Sequence, residues 1–230
     1  MYKRQVTTEE IRTYLADYQK NSNCSNVTID NIRRNISSFF SWLEEEDYIL
    51  KSPMRRIHKI KTKTVVKNTI SDESIEKLRD HCTEIRDLAI IDLLYSTGIR
   101  VGELVNLNID DIDLEGRECI VSGKGDKERR VYFDAKAKVH LKEYIEGRKD
   151  ENKALFVTLD APYDRLKISG VEIRLRQLGR KLDLEKIHPH KFRRTMATRA
   201  IDKGMPIEQV QKILGHSQID TTMQLSLIHI

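Results

Sequence analysis

Five residues far apart in the chain have types that suit one task, the handling of a phosphate group: Arg100, Lys124, His190, Arg193 and His216. A guanidinium stays protonated and presents a planar fork of N–H donors, so two arginines remote in sequence can grip both non-bridging oxygens of one phosphodiester. Arg100 follows Gly98-Ile99 at the mouth of a predicted helix. Arg193 lies three residues after His190, and that spacing sets both on one helical face. A histidine titrates near neutrality and so suits proton transfer to or from an attacking oxygen. An arginine on a soluble helix is ordinarily just surface, so the context of these positions has to single them out.

The elements that must position them are mainly helical. Thr7 or Thr8 caps a helix that begins at Glu9 and sets Ile11, Leu15 and Tyr18 on one face. A second helix starts at Thr28-Ile-Asp and carries Ile32, Ile36, Phe39, Phe40, Trp42 and Leu43 as an apolar stripe expected in the core. Ser52-Pro53 ends this unit, because the residue before proline disfavours helix. Further along, Ser71 caps a helix to His81, and an apolar helix from Arg86 to Thr97 stops at Gly98. Val101 to Leu107 adds another turn or two. Glu118–Val121 and Arg129–Phe133 alternate as two strands joined by the Gly123-Lys124-Gly125-Asp126 turn, and Leu155–Leu159 reads as a third, short strand. Helices follow over 135–147, 168–182, 189–203 and 206–214, the last two opened by Pro189 and Pro206 and closed by Gly204 and Gly215. Residues 219–224 begin a last one.

The 230 residues suffice for two domains, and 39% hydrophobic content supports a core. With 33% charged residues and a mean hydropathy of −0.55, no apolar run approaches the roughly 20 residues needed to cross a bilayer. Cys24, Cys82 and Cys119 are odd in number and widely spaced, which gives no disulfide framework or metal pattern and fits a reducing cytoplasm. Neither a P-loop nor a carboxylate cluster with metal-ligand spacing is present, which is consistent with a chemistry that uses no cofactor and no metal. The net charge of +5 hints at a polyanionic partner. Its distribution says more. No acidic residue lies between Tyr48 and Ser71, while Arg55, Arg56, Lys59, Lys61 and Lys63 crowd that stretch, the pattern of a linker that tracks a phosphate backbone.

Four blocks then carry a specific resemblance: LLYSTGIRVGEL (93–104), SGKGDKERRV (122–131), HPHKFRRTMATRAIDKGM (188–205) and ILGHSQIDTTMQ (213–224). In order and spacing they resemble the tyrosine recombinases, among them the phage integrases and the Xer-type site-specific recombinases, over about residues 6–224. The resemblance implies a mainly α fold with a small β-hairpin or sheet, arranged as a two-domain DNA clamp. Residues 6–66 would be a helical core-binding domain with the basic linker, and 67–224 the catalytic domain. Double-stranded DNA would be the partner, with four protomers acting on two DNA sites, and strands would be broken and rejoined through a 3′-phosphotyrosyl intermediate.

By the same resemblance Arg100 and Arg193 correspond to the two catalytic arginines, with Glu103 as the acidic partner of Arg100. Lys124 corresponds to the lysine that protonates the leaving 5′ oxygen, His190 to the histidine that handles the nucleophile's proton, and His216 to the residue that bonds the scissile phosphate. Arg194 stands where many relatives have histidine and is placed outside the site. His58, His81, His140 and His188 match nothing. The family's nucleophile falls nine residues after the position of His216, where this chain has Leu225, and none of its eight tyrosines stands in that frame. The chain as written is therefore expected to bind DNA without cleaving it. MYKRQ at residues 1–5 and LSLIHI at 225–230 can be translated from the two strands of one short DNA element that resembles a transposon-end adapter. The expectation is that both ends are adapter-derived and that the missing tyrosine was lost there. A type IB topoisomerase-like enzyme, a non-catalytic DNA-binding protein and a helical interaction module are the alternative readings.

Overall fold

The structure is a computed structural model that describes residues 5–62, 68–123, 128–184 and 186–215. The chain divides into two compact units, residues 1–65 and 66–230. In the first, α1 (Thr8–Ser22) opens on a capping box in which Thr7 accepts from the Glu10 amide while the Glu10 carboxylate accepts from the Thr7 amide. α2 (Asn26–Glu45) is capped by Ser25, two residues earlier than the sequence predicts. Ile11, Leu15, Ile29 and Met54 form the small core of this unit.

Two expectations are corrected here. The aromatic part of the α2 stripe enters the core only in part: Phe40 packs against it, while Phe39 and Trp42 remain 54% and 47% exposed. One helix and a short 3-10 turn (Pro53–Arg56) can cover only the face of α2 that carries Ile29, Ile32 and Ile36. The rings instead pack on one another, with Phe39 6.2 Å from Trp42 and Trp42 5.7 Å from Tyr48. The basic stretch also begins as folded structure. Arg55 and Arg56 lie in the 3-10 turn, Arg55 pairs with Glu44, Ile57 and Ile60 pack on the core, and the Ile60 amide donates to Asp30 at 3.1 Å. Lys59 and Lys61 are exposed, and Lys63 lies outside the described residues.

The second unit contains α3 (Asp72–Asp80), α4 (Ile85–Thr97), α5 (Val101–Asn106), β1 (Ile112–Asp113), β2 (Glu118–Ser122), β3 (Glu128–Tyr132), α6 (Ala135–Glu146), α7 (Ile168–Lys181), α8 (Pro189–Asp202) and α9 (Ile207–Leu214). The strands form one antiparallel sheet in the order β1-β2-β3, with Cys119 opposite Val131 and Val121 opposite Arg129. β1 is only two residues long and carries no alternation that the sequence could display. α4 is the central helix, packed against α6 and α8. Ile90, Ile91, Leu93 and Leu94 are all buried, so it is apolar round most of its circumference, as a helix enclosed by others must be.

The strand expected at 155–159 does not form. Leu155, Phe156 and Val157 are buried, but their backbone partners are loops: the Leu155 amide donates to the Leu107 carbonyl and the Leu166 amide to the Phe156 carbonyl. These give isolated bridges, not a ladder, because among the described residues no neighbouring strand runs alongside. No helix among the described residues is long and apolar enough to cross a membrane.

Candidate functional site

α4 ends at Gly98, whose φ of 63° lies in the left-handed region that glycine adopts without strain. Two residues later Arg100 is the N-cap of α5, so one tight turn both stops the central helix and aims the arginine. Glu103, one helical turn on, is buried. It is not the ordinary exposed i, i+3 partner that spacing alone suggests. Its Oε2 accepts from the Arg100 backbone amide and its Oε1 from Arg100 Nη1, at 2.8 and 2.9 Å.

The same carboxylate holds a third arginine that sequence reasoning missed. Arg129 on β3 donates Nη1 to Oε1 and Nη2 to Oε2 of Glu103, both at 2.8 Å. A signal for it existed. Val131 faces inward on β3, and residues two apart in a strand share a face, so Arg129 is a charged residue at an inward position. Burial pushes the Glu103 carboxyl up, but hydrogen bonds from Arg129 and Arg100 outweigh it and hold the group below the usual carboxylate range.

Arg193 sits on α8, buried, with Nη1 donating to the Gly98 carbonyl at 2.7 Å and Nη2 to the Leu214 carbonyl at 2.5 Å. Burial first, then the neighbouring Arg100 charge, pulls its guanidinium down to about 9, which leaves it protonated at neutral pH. The end of α9 completes the cluster. The carbonyls of Ile213, Leu214 and Gly215 accept from Arg129 Nε (2.9 Å), Arg193 Nη2 and Arg100 Nη2 (3.1 Å). These are carbonyls that a helix C-terminus leaves without intrahelical partners, and its partial negative charge favours cations there.

The structure thus brings together Arg100, Glu103 and Arg193, with His190 exposed one turn before Arg193 on α8. Lys124, His216 and Leu225 lie outside the described residues, although Gly215, directly before His216, is part of the cluster. His188, the N-cap residue of α8, is half-buried, with its ring 6.5 Å from that of His190. Burial, then the His190 charge, lowers its pKa. Arg194 points away from the cluster to the Asn68 carbonyl, 3.0 Å away. Among the described residues no group of His, Cys, Asp and Glu is placed to hold a metal ion. Chemically, the cluster is a net-positive set of preorganised donors, three guanidiniums around one carboxylate.

A family model described as the phage integrase family matches residues 56–225, and one described as the phage integrase N-terminal SAM-like domain matches residues 3–50. The chain belongs to the phage integrase family of tyrosine recombinases. It is 32% identical over 229 residues to tyrosine recombinase XerC of Oceanobacillus iheyensis, covering 94% of this chain and 75% of that protein. To XerC of Leptospira interrogans serovar copenhageni it is 35% identical over 227 residues, covering 95% and 73%. Among solved structures, XerA recombinase superposes with a TM-score of 0.64 at 26% identity, covering 96% of this chain and 78% of XerA. The Tn1549 transposon integrase in complex with a circular intermediate DNA gives 0.82 at 20% identity, covering 96% and 81%. At that identity the likeness is one of fold, a mostly helical domain with a small antiparallel sheet. The family is one of site-specific recombinases, enzymes that exchange DNA strands.

Proposed function

We propose that this chain binds duplex DNA and grips one phosphate between Arg100 and Arg193, as the phosphate-handling part of a recombinase that breaks and rejoins DNA through a 3′-phosphotyrosyl link. The observation that carries this reading is the cluster itself. Among the described residues, buried Arg193 bonds only carbonyls and Arg100 shares its one carboxylate with Arg129, so positive charge is left over for an anion. Donors fixed in advance where charge develops are worth about 3–4 kcal/mol each in a transition state.

In this mechanism the two arginines hold the non-bridging oxygens as the phosphorane forms. His190 takes the nucleophile's proton, His216 donates a further hydrogen bond, and Lys124 protonates the departing 5′ oxygen. Attack by a 5′ hydroxyl of another strand reverses the step and needs no energy source, because the covalent link conserves the phosphodiester. Residues 6–66 would serve as the core-binding domain and 67–224 as the catalytic domain, closing on the duplex as a clamp. Arg55, Arg56, Lys59, Lys61 and Lys63 would follow the backbone between them, and four such protomers would join two sites. Leucine has no nucleophilic oxygen, so the chain with Leu225 is expected to bind and not cleave.

The test has two parts. Affinity for duplex DNA should fall steeply with salt, since each neutralised phosphate contributes about −0.9 to the slope of log K against log salt. Incubation with a nicked duplex should give no covalent adduct, whereas Leu225→Tyr should give one. Salt-independent binding would remove the DNA reading. An adduct formed by the unaltered chain would remove the assignment of the nucleophile's position.

A further inference from the structure

Arg129 has no role in the reaction as set out above, yet it is the most heavily bonded arginine of the cluster. A carboxylate offers about four lone-pair directions. At Glu103 all four are used, two by Arg100 (backbone amide and Nη1) and two by the Arg129 fork. Arg129 also donates its Nε–H to the Ile213 carbonyl at 2.9 Å. Its side chain is only 15% exposed, against 38% for Arg100. Three donors committed to protein acceptors and little open surface make Arg129 a poor candidate to touch substrate itself.

We propose that Arg129 is a positioning residue that acts on Arg100 through Glu103, and this rests on the phosphate-binding reading of the cluster. By filling two directions of the carboxylate it prevents Glu103 from closing on the Arg100 guanidinium as a two-bond pair. Arg100 then gives Glu103 one Nη and keeps the other end of its fork on the Gly215 carbonyl, at the exposed side of the cluster. Without Arg129, the two freed directions attract the nearest available donors, which belong to Arg100. The guanidinium would rotate inward, its charge would be neutralised, and its outer edge would leave the position in which a phosphate oxygen is gripped. The Arg129 Nε bond adds a second constraint, holding the end of α9 in the place where Leu214 and Gly215 meet Arg193 and Arg100.

A lysine separates charge from geometry, because an ammonium keeps the charge but cannot bond both carboxylate oxygens and a carbonyl in the fixed directions of a guanidinium. The experiment is calorimetric titration of the folded chain with inorganic phosphate at low salt, for the unaltered chain, Arg129→Lys, Glu103→Gln and the double variant. Arg129→Lys should weaken phosphate binding by about tenfold or more, by analogy with the lower end of what loss of an orienting partner costs at a metal site. The double variant should bind no more weakly than the weaker single one, because both act through one carboxylate. Unchanged affinity in Arg129→Lys would reduce Arg129 to a structural role and overturn the proposal. Multiplying losses in the double variant would place Arg129 on the anion directly and overturn it too. Arg193→Lys is the control for the underlying reading: if it leaves phosphate binding unchanged, or if the unaltered chain binds none, that reading falls on its own. The Arg100 Nε–H resonance then decides the positioning claim without phosphate. It should move in Arg129→Lys as the guanidinium turns onto Glu103, and a resonance that stays in place refutes the claim.

Discussion

Replacing Glu103 by glutamine removes one charge and almost no volume from the centre of the cluster. The glutamine oxygen can still accept from two of the donors that now converge on the carboxylate, but its amide N–H2 then faces the other two. Each donor left unsatisfied in a buried place costs about 1–3 kcal/mol. The general figure for breaking a buried ion pair by removing one partner, about 3–5 kcal/mol, agrees with a pair of such losses. The Glu103 side chain is 5% exposed, and so is little screened, whereas Arg100 at 38% recovers part of its loss through water. The expected destabilisation is therefore about 3 kcal/mol. With an m-value near 3 kcal/mol/M, that moves the urea midpoint of the second unit by about 1 M.

The pH dependence follows from the direction of the Glu103 shift. A carboxyl held below its ordinary value contributes stability that is fully present above the unfolded pKa of about 4.3 and is lost as pH falls through the lower folded value. The gap between the unaltered chain and Glu103→Gln should stay constant from pH 7 to about pH 5 and close below about pH 4. A gap smaller than 1 kcal/mol at neutral pH, or one that persists unchanged at pH 3, would refute the picture of one carboxylate saturated by two arginines.

Three further outcomes are expected. Gly215→Ala forces a side chain into a backbone with φ of 63° and sets its Cβ 3.2 Å from Arg129 Nη1. It should cost at least the roughly 1–2 kcal/mol of a left-handed residue, and an unchanged thermal midpoint would contradict it. Asp92 is fully buried and accepts from Arg79 at 2.7 Å while also meeting His140. Asp92→Asn should destabilise by about 3–5 kcal/mol in a denaturant titration, and a change within the error of that titration would show the pair to be dispensable. His188 has a lowered pKa, so the unfolded chain binds more protons between that value and about 6.5, and stability should rise with pH across this window. His188→Gln should flatten that rise, and proton NMR of the ring should show the low titration midpoint.

The saturation of Glu103 by two arginines is not legible in the sequence. What the sequence determined by itself was whatever local chemistry controls. Thr7 with Glu10, Ser71 before Asp72 and Gly98 after Thr97 mark helix ends because caps and left-handed stops act within a few residues of the chain. The four blocks around Arg100, Lys124, Arg193 and His216 identified the family because residue identity at fixed spacing survives without any knowledge of packing. The same blocks pointed to Arg100, Glu103 and Arg193 before any geometry was known. Only the tertiary structure decided what is settled by long-range contact. It left Phe39 and Trp42 of the α2 stripe at the surface while Phe40 packs on the core, since too few elements in that unit cover the whole stripe. It gave the stretch around 154–157 only isolated bridges, since among the described residues no neighbouring strand came alongside. It made Glu103 a buried hub for Arg100 and for Arg129, 26 residues further along the chain, and set three successive carbonyls of α9 on three guanidiniums. Burial and convergence depend on what the fold places against a side chain, and a chain read one residue at a time does not contain that information.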